Sequence, residues 1–425
     1  MTRDTIFEMA TSSLRFGPGA TREVGMDLVD MGIRNTLVIA DPSLVDKQPV
    51  QTLLASLCEQ KVQFALFDRV HIEPTDASFQ EAIAFARAGD FDGIVAIGGG
   101  STIDTAKAAN LYSSYPADFL EYVNAPIGKG RPVPGPLKPL IAIPTTAGTG
   151  SETTGVAIFD LVELKAKTGI AHRRLRPTLG IVDPENTRSL PPAVAAASGL
   201  DVLSHAVESY TAIPFNERPR PERPLLRPSY QGRNPISDVW ALEALRVVRK
   251  YLVRAVEDPG DDEARGQMML AAAFAGMGFG NAGVHLPHGM SYPVAGMVRR
   301  YVPPGYAVSH PLVPHGVAVI LNSPAVFRFT AQACPERHLQ AAEALGADVT
   351  HARTADAGPV LADQILQIMQ RLRVPNGLRA VGYDLGDIPA LVEGTLPQHR
   401  VTKLSPRRAG EEELAGLFAE AMVYW

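Results

Sequence analysis

The feature that most constrains the fold is an alternation of short apolar runs with amphipathic stretches, which extends from residue 35 to about residue 183. Short buried strands that alternate with helices are typical of a parallel sheet with crossover helices. The pattern predicts strands at 37–40, 63–67, 93–97, 140–143 and 179–182, and helices at 50–61, 78–88 and 102–111.

After Pro191 the strand pattern stops, and long runs of Ala, Leu and Val at helical spacing replace it. This spacing predicts helices at 193–211, 238–256, 262–279, 316–327, 335–345, 357–372 and 411–422. We therefore predict an α/β domain with a parallel sheet over residues 1–190, followed by an all-helical domain over residues 191–425.

The composition excludes several classes of protein. The 40 basic and 45 acidic residues leave no positive excess for a phosphate backbone, so we expect no nucleic-acid partner. Two cysteines, Cys58 and Cys334, are too few for a disulfide framework or a thiolate metal site, so a metal must bind through His and carboxylate. Residues 1–15 show no targeting pattern, which leads us to expect a cytoplasmic protein.

Two other segments have unusual compositions. Residues 266–298 carry no charge over 33 positions, long enough to cross a bilayer, but Asn281, His285 and His288 interrupt the run. We interpret it as a buried helix and expect no membrane partner. Residues 213–236 contain six prolines and five arginines, which excludes regular structure and leaves a surface excursion or a loop that covers a site or interface.

Glycines follow the third predicted strand directly, at Gly98, Gly99 and Gly100 before Ser101. Such a turn lets a phosphate approach the backbone, and the N-terminus of the following helix attracts an anion. Ser101 and Asp104 also form an S-x-x-D capping pattern, so part of the motif has a purely structural interpretation.

A second polar turn follows the fourth predicted strand, over residues 144–152. Its threonines and glycines suit hydrogen bonds to a phosphate, a ribose or a carboxamide, and ligands gather at the carboxyl ends of parallel strands. Asp41 follows the first predicted strand, where it can bind ribose hydroxyls or act as an ordinary turn residue.

Five of the ten histidines lie in one quarter of the chain, between His205 and His315. Asp201 and His205 are four residues apart in a helical pattern, so they share a helix face and can bind one ion. His288 and His315 can complete a site with three nitrogens and one oxygen, which leaves a position open for substrate.

These motifs resemble the iron-containing (group III) alcohol dehydrogenase family. The turn at 98–104, the loop at 144–152, the helical segment at 199–210 and Pro314-His315-Gly316 stand in the family's order and spacing, and the resemblance runs essentially end to end. It implies an N-terminal dinucleotide-binding domain, a helical metal-binding catalytic domain, and an active site in the cleft between them.

The resemblance also implies the roles of individual residues. The metal ligands would be Asp201, His205, His288 and His315, with Fe²⁺ favoured and Zn²⁺ as the alternative. The cofactor, NAD, would be bound by Asp41, Gly98, Gly99, Gly100, Ser101, Asp104, Thr145, Thr146, Thr149, Thr154 and Lys167.

The proton route is open, because most members carry a second histidine where this chain has Tyr292. We count Tyr292 with the catalytic residues, although a phenol is a poorer proton relay at neutral pH than an imidazole. His285 or a bound water is a hypothetical substitute.

Within the family the chain resembles most the hydroxyacid-oxoacid transhydrogenase branch, through residues 7–10, 230–238, 278–293 and 394–404. This resemblance implies that a hydride moves from a hydroxyacid such as 4-hydroxybutyrate, through the bound nicotinamide, to 2-oxoglutarate. Because both substrates are carboxylates, we expect a cationic anchor, which would be Arg299, Arg300 or an arginine of residues 213–236.

Three alternatives remain at this stage. One is an NAD-dependent dehydrogenase of alcohols or ω-hydroxyacids that releases NADH at each turnover. A second is a metal- and NAD-dependent lyase of the dehydroquinate synthase kind, against which the predicted ligand set argues, and a third is a non-enzymatic cofactor-binding role. The expected partners are the small-molecule hydroxyacid and oxoacid substrates, and further copies of the chain in a homo-oligomer.

Overall fold

The chain forms two compact units in the computed structural model, which describes residues 2–163, 166–306, 308 and 310–425. One unit is Ala10–Leu190, and the other combines Met1–Met9 with Pro191–Trp425. The sequence analysis assigned residues 1–9 to the α/β domain, whereas the structure places them with the helical unit. Asp4 explains the difference, because its buried carboxylate pairs with Arg218 at 2.6 Å and with Arg227 at 3.0 Å.

The first unit is an α/β layer structure around a parallel sheet. Its strands are β1 (Ser13–Phe16), β2 (Asn35–Ala40), β3 (Gln63–Phe67), β4 (Gly93–Gly98), β5 (Leu140–Pro144), β6 (Val156–Leu161), β7 (Ala166–Ala171) and β8 (Leu179–Val182). Its helices are α1 (Val24–Asp30), α2 (Gln48–Glu59), α3 (Asp76–Ala88) and α4 (Gly100–Ser114). Six strands form a sheet in the order β1-β8-β5-β4-β2-β3, and every neighbouring pair in it is parallel.

The predicted parallel sheet is therefore confirmed, with two additions that the pattern did not predict. Strand β1 is only four residues long and lies at the sheet edge, where its exposed and half-buried positions give a weak apolar signal. Strands β6 and β7 form a separate antiparallel hairpin. Its second strand begins with Ala-Lys-Thr-Gly, which lacks the apolar run that marks a buried strand.

The central strands β4 and β5 are buried at every position, and they position the two glycine- and threonine-rich turns. The two strands pair in register, with Gly98 opposite Pro144. The turns that follow them therefore start side by side at the carboxyl edge of the sheet. The Thr145 N–H donates to the Gly98 carbonyl at 3.0 Å, which extends the pairing into the turns.

The second unit is helical, as predicted. Its helices are α5 (Pro192–Thr211), α6 (Pro235–Glu257), α7 (Asp262–Ala282), α8 (Leu286–Gly296), α9 (His315–Ile320), α10 (Ser323–Thr330), α11 (Pro335–Ala344), α12 (Ala357–Arg371), α13 (Ile388–Thr395), α14 (His399–Thr402) and α15 (Glu411–Glu420). The single helix predicted at 316–327 is wrong, because the chain there forms α9 and α10. Pro324 begins α10, where its ring fits the first turn but would break a continuous helix.

The charge-free run forms most of α7 and all of α8, and most residues of both helices are buried. Among the described residues, no single helix has the length and apolar character to cross a membrane. Helices α7 and α8 meet those criteria only when taken together, and they are bent by 105° at the break between them.

Helix α4 is attached to the second turn and the hairpin by one buried cation. The Lys107 ammonium is completely buried and donates to Ser151 Oγ at 2.6 Å and to the Val156 carbonyl at 2.7 Å. It lies 3.3 Å from Asp104 Oδ1. Burial lowers the pKa of this lysine, and the charge of Asp104 opposes the change.

We expect Lys107→Met to lower the free energy of unfolding by about 3 kcal/mol, because it leaves the Asp104 carboxylate and two oxygens without their buried partner. The matched control is Lys129→Met, which removes an exposed ion pair with Glu121 and should cost less than about 1 kcal/mol. Urea unfolding followed by circular dichroism measures both. Equal effects of the two variants would contradict a special role for Lys107.

Candidate functional site

Helix α5 supplies three of the polar side chains that face the candidate metal centre. Asp201, His205 and Glu208 are spaced by four and three residues, so they lie along one face of the helix. All three are buried, in a helix whose other inward positions are mostly Ala, Val and Leu. The helix therefore places two carboxylates and an imidazole in an apolar interior, where they need compensating partners.

Two neighbouring elements bring the other histidines to this face. His288 lies in the first turn of α8, and His315 is the first residue of α9. Helix α9 packs closely on α5 at Gly316, where a Cβ atom would lie 1.9 Å from the Ala197 carbonyl oxygen. Glycine is required there by this close approach, which brings His315 to Asp201.

The three imidazoles converge on one oxygen. Asp201 Oδ1 lies 3.6 Å from His205 Nε2, 3.6 Å from His288 Nε2 and 3.7 Å from His315 Nε2. The ligand atoms of Asp201, His288 and His315 all lie within 4.8 Å of one another. His205 falls outside that mutual group, although its ring stacks on His288 with centroids 4.7 Å apart.

This donor set fits a divalent metal. Distances of 3.6–3.7 Å are too long for hydrogen bonds, whereas two ligands about 2.1 Å from a shared tetrahedral ion lie roughly 3.4 Å apart. Asp201 Oδ1 and His288 Nε2 are buried and have no hydrogen-bond partner. Buried polar atoms that point at each other without hydrogen bonds are explained by a cation between them.

Glu208 is a functional residue that the sequence analysis missed. It is completely buried, its Oε1 lies 2.5 Å from His288 Nδ1, and its Oε2 accepts the His285 N–H at 2.6 Å. The contact between Glu208 Oε1 and His288 Nδ1 holds the imidazole proton on Nδ1, which leaves Nε2 free to bind a metal. The signal in the sequence was its position three residues after His205, on the face already assigned to ligands.

The electrostatics of the histidines agree with this arrangement. Burial lowers the pKa of His205 to about 3, so its ring is neutral at pH 7, as a metal ligand must be. Burial also disfavours the charged form of His288, but Glu208 and Asp201 outweigh burial and raise its pKa to about 10. A bound cation would take the place of that extra proton.

Tyr292 lies one turn after His288 in α8, and its hydroxyl accepts a hydrogen bond from Arg400 Nη2 at 3.1 Å. His285 lies on a different side, because its Nε2 is 3.0 Å from Thr211 Oγ1 and its ring is completely buried. The structure describes no contact between His285 and Tyr292. The role of His285 as a substitute relay therefore stays a hypothesis without support from the geometry.

The two turns after β4 and β5 form one polar surface in the α/β unit. A Cβ atom on Gly100 would lie 2.5 Å from the Thr149 side chain, and one on Gly99 would lie 3.5 Å from Thr146. Helix α4 begins directly behind these glycines, with Gly99 as its N-cap. Backbone N–H groups, threonine hydroxyls and a positive helix end therefore meet where a pyrophosphate can bind.

Ser101 and Asp104 differ from the predicted capping pair. Gly99 caps α4 without a side-chain hydrogen bond, so the prediction that Ser101 caps the helix is wrong. The Asp104 carboxylate instead accepts from Ser151 Oγ and from the Ile158 N–H. It therefore orients the second turn, and its predicted contact with the cofactor stays a prediction.

The remaining cofactor candidates lie at the same edge of the sheet or in the hairpin. Asp41 follows β2, and its Oδ1 accepts from both the N–H and the hydroxyl of Ser43, which is the structural role of a turn residue. Lys167 lies in the hairpin, 2.5 Å from Glu73 and 3.0 Å from Asp160. These carboxylates overcome the effect of burial and raise its pKa, so the lysine is a fixed positive charge.

Four of the predicted substrate anchors do not fit that role. Arg299 is exposed and forms an ion pair with Asp387 at 2.7 Å, and Arg300 is exposed as well. In the segment 213–236, Arg218 and Arg227 are held by Asp4, as described above. Asp4 therefore attaches this segment to the N-terminal residues. Because Asp4 already compensates the charges of Arg218 and Arg227, these two arginines are poor partners for a substrate carboxylate.

We expect Glu208→Gln to lower the affinity of the protein for a divalent metal by about 10- to 100-fold, because a neutral amide oxygen accepts the His288 Nδ1 proton more weakly than a carboxylate does and leaves Nε2 a poorer ligand. Competition with a metallochromic chelator for Zn²⁺, and anaerobically for Fe²⁺, measures the affinity. The control is Glu243→Gln on the exposed face of α6, which should change nothing. An unchanged affinity in Glu208→Gln would remove its role in orienting His288.

Comparison with known proteins assigns the family. A sequence profile described as iron-containing alcohol dehydrogenase matches residues 11–184, and the C-terminal profile of the Fe-containing alcohol dehydrogenase family matches residues 229–422. The hydroxyacid-oxoacid transhydrogenase of Xenopus tropicalis is 62% identical over 418 residues, which cover 98% of this chain and 90% of that protein. The human protein of the same name is 60% identical over 423 residues, which cover 99% of this chain and 91% of that protein.

Both relatives are named as mitochondrial proteins, and this contradicts the prediction of a cytoplasmic location. The prediction depended only on the absence of a targeting pattern in residues 1–15. Such an absence does not determine where a protein resides.

The solved structures agree with the family. A 1,3-propanediol oxidoreductase aligns with a TM-score of 0.85 at 29% identity, covering 98% of this chain and all of that one. The sulfoacetaldehyde reductase of Bifidobacterium kashiwanohense, solved with NAD⁺, aligns with a TM-score of 0.80 at 26% identity over 99% of each chain. Family and ligand cluster together indicate a nicotinamide cofactor and a divalent metal that act on small-molecule substrates. The chain is therefore an oxidoreductase that belongs to the iron-containing alcohol dehydrogenase family.

Proposed function

We propose that this chain is a hydroxyacid-oxoacid transhydrogenase, which moves a hydride from a hydroxyacid such as 4-hydroxybutyrate to 2-oxoglutarate. The observation that carries the proposal is 62% identity, over 98% of the chain, to a protein of that name. Across the reaction, 4-hydroxybutyrate loses a hydride and a proton and leaves as the aldehyde. The oxoacid gains a hydride and a proton and leaves as 2-hydroxyglutarate.

We further propose that the cofactor is NAD and that the metal is Fe²⁺, with Zn²⁺ as the alternative. The family name favours iron, and three nitrogens with one oxygen suit either ion. NAD is favoured because a structural neighbour was solved with NAD⁺. Asp41 lies where it can hydrogen-bond a ribose and would repel a 2′-phosphate.

Each group of the site then has a defined task. When bound, the metal supplies Lewis-acid polarisation of the substrate oxygen and the nicotinamide accepts and returns the hydride. Asp201, His205, His288 and His315 would hold the metal. The side chains of Asp201, His205 and His288 are at most 5% exposed and that of His315 is 26% exposed, so substrate approaches past His315.

The protein also controls protons and phosphates. Glu208 keeps a proton on His288 Nδ1, which makes its Nε2 a stronger ligand. In the α/β unit, the turns at 98–101 and 145–149 would bind the pyrophosphate through backbone N–H groups and threonine hydroxyls, with Thr154 and Lys167 further along the same loop and hairpin. The site in a cleft between the two units and the homo-oligomer stay predictions.

We expect purified, metal-loaded protein to convert 4-hydroxybutyrate and 2-oxoglutarate to 2-hydroxyglutarate without added nucleotide, because the cofactor is recycled in place. Mass spectrometry of 2-hydroxyglutarate over many turnovers measures this. The control, Asp201→Asn, removes the oxygen on which the three imidazoles converge and should reduce turnover by at least about 100-fold.

An ordinary dehydrogenase would behave differently. It would form product only with NAD in excess and would accumulate NADH with the hydroxyacid alone. That result would replace the transhydrogenase proposal with the alternative of an NAD-dependent dehydrogenase of alcohols or ω-hydroxyacids.

A further inference from the structure

Arg400 occupies an unusual position in the helical unit. It lies in the short helix α14, which packs on α8 so closely that a Cβ on Gly289 would lie 2.6 Å from the Thr402 methyl group. Its Nη2 donates to the Tyr292 hydroxyl at 3.1 Å, and its guanidinium lies 5.0 Å from the centre of the Tyr230 ring. Two phenol side chains therefore hold the guanidinium in one orientation.

Both phenols lie near candidate metal ligands in the sequence or through packing contacts. Tyr292 is one turn after His288 on α8, so the two side chains project from the same helix face. The Tyr230 ring contacts Phe279 edge-on at 6.3 Å, and Phe279 stacks on His205 at 3.8 Å. Arg400 thus contacts one phenol that follows His288 by a helix turn and another that reaches His205 through Phe279.

The positive charge of Arg400 is not compensated. Its Nη1 is buried and has no hydrogen-bond partner, and within the residues that the structure describes it forms no ion pair. Three other inward-facing arginines of this unit do have carboxylate partners, since Arg218 and Arg227 share Asp4 and Arg337 pairs with Asp238. Lys403, which follows in the chain, adds a second cation whose described surroundings include no carboxylate partner.

An unpaired buried guanidinium is costly, and a carboxylate that reaches it from solution would relieve that cost. A guanidinium binds a carboxylate through two parallel hydrogen bonds, and Nη1 is available for them. Tyr292 accepts from Arg400, so its own O–H remains able to donate to the same carboxylate.

We propose that Arg400 binds the carboxylate of the hydroxyacid and oxoacid substrates, with Tyr292 as its partner, and thereby determines specificity for acids over neutral alcohols. The inference rests on the proposed function, because it assigns a residue to the carboxylate that both substrates share. Anchoring this end of the substrate orients the reacting carbon at the other end toward the metal cluster. Tyr292, which stands where the family resemblance implies a histidine, thus has a different task here.

The test compares 4-hydroxybutyrate with 1-butanol, which replaces the carboxylate by a methyl group. Aldehyde formation is measured in a single turnover on NAD-loaded protein without 2-oxoglutarate, because the acceptor carries a carboxylate that Arg400 would also bind. We expect Arg400→Gln to raise the 4-hydroxybutyrate concentration for half-maximal rate at least about 30-fold and to change the single-turnover rate with 1-butanol less than about threefold. Arg400→Lys should retain part of the activity with the acid, since it keeps the charge but not the paired hydrogen bonds.

A binding measurement separates substrate recognition from a structural role. Calorimetry should give a dissociation constant for 2-oxoglutarate that is at least about 30-fold weaker in Arg400→Gln than in the wild type. Arg299→Gln is the matched control, because it removes an exposed arginine paired with Asp387 and should bind normally. Thermal unfolding of all variants verifies that they are folded, and Arg400→Lys tests the proposal if Arg400→Gln is not.

Three results would overturn the assignment. They are equal losses with 4-hydroxybutyrate and 1-butanol, an unchanged affinity for 2-oxoglutarate in Arg400→Gln, or no binding of either acid by the wild type. Failure of the proposed function is a separate result: the wild type would oxidise 4-hydroxybutyrate only with excess NAD, while the Arg400 variants would still discriminate against the acid.

Discussion

The helical unit depends on one constraint, which is the burial of Asp201 in an apolar helix without a hydrogen bond to its inner oxygen. A buried carboxylate must be compensated, and here three imidazole nitrogens approach Oδ1 to within 3.7 Å. Glu208 adds a second buried negative charge on the same helix, directed at the back of His288. The two buried carboxylates leave a negative charge that a divalent cation between Asp201 and the histidines would compensate.

A different constraint organises the α/β unit. The parallel pairing of β4 and β5 starts two polar turns at the same edge, and buried side chains then fix the second turn. Lys107 and Asp104, both on α4, form hydrogen bonds with the Ser151 hydroxyl, and these bonds restrict the motion of the second turn. A surface that binds phosphate through backbone groups needs this rigidity, because the N–H groups must point inward before the ligand arrives.

Aromatic side chains connect the ligand cluster to a buried cation. Phe279 stacks on His205 and contacts Tyr230, while Tyr292 follows His288 on α8. Tyr230 and Tyr292 both contact Arg400, so a chain of packed side chains joins this guanidinium to His205. With a tyrosine at position 292, the end of α8 can hold a guanidinium through a hydrogen bond.

Local patterns predicted much of this protein. Buried strands such as 93–97 were predicted from continuous apolar runs, and α5 was predicted from the helical spacing of its apolar residues. Both predictions succeed because the period of apolar residues reflects which face of a strand or helix is buried. The pair Asp201 and His205 was visible for the same reason, since both lie on one helix. The edge strand β1 was not predicted because it is short and partly exposed, and the hairpin was missed because β7 is buried without an apolar run. The break between α9 and α10 was missed because the apolar spacing continues across it.

Tertiary structure decided the partners of each charge. The sequence contains 40 lysines and arginines, and nothing in their spacing distinguishes Arg299, which is exposed and pairs with Asp387, from Arg400, which has no carboxylate partner among the described residues. Nor could it show that residues 230–238, 278–293 and 394–404 converge, as Tyr230, Tyr292 and Arg400 do. The sequence by itself therefore determined the fold class, the family and the candidate metal ligands. Which charge is compensated depends on contacts between residues 80 or more positions apart, such as Glu208 with His288 and Arg299 with Asp387, and only packing brings these together.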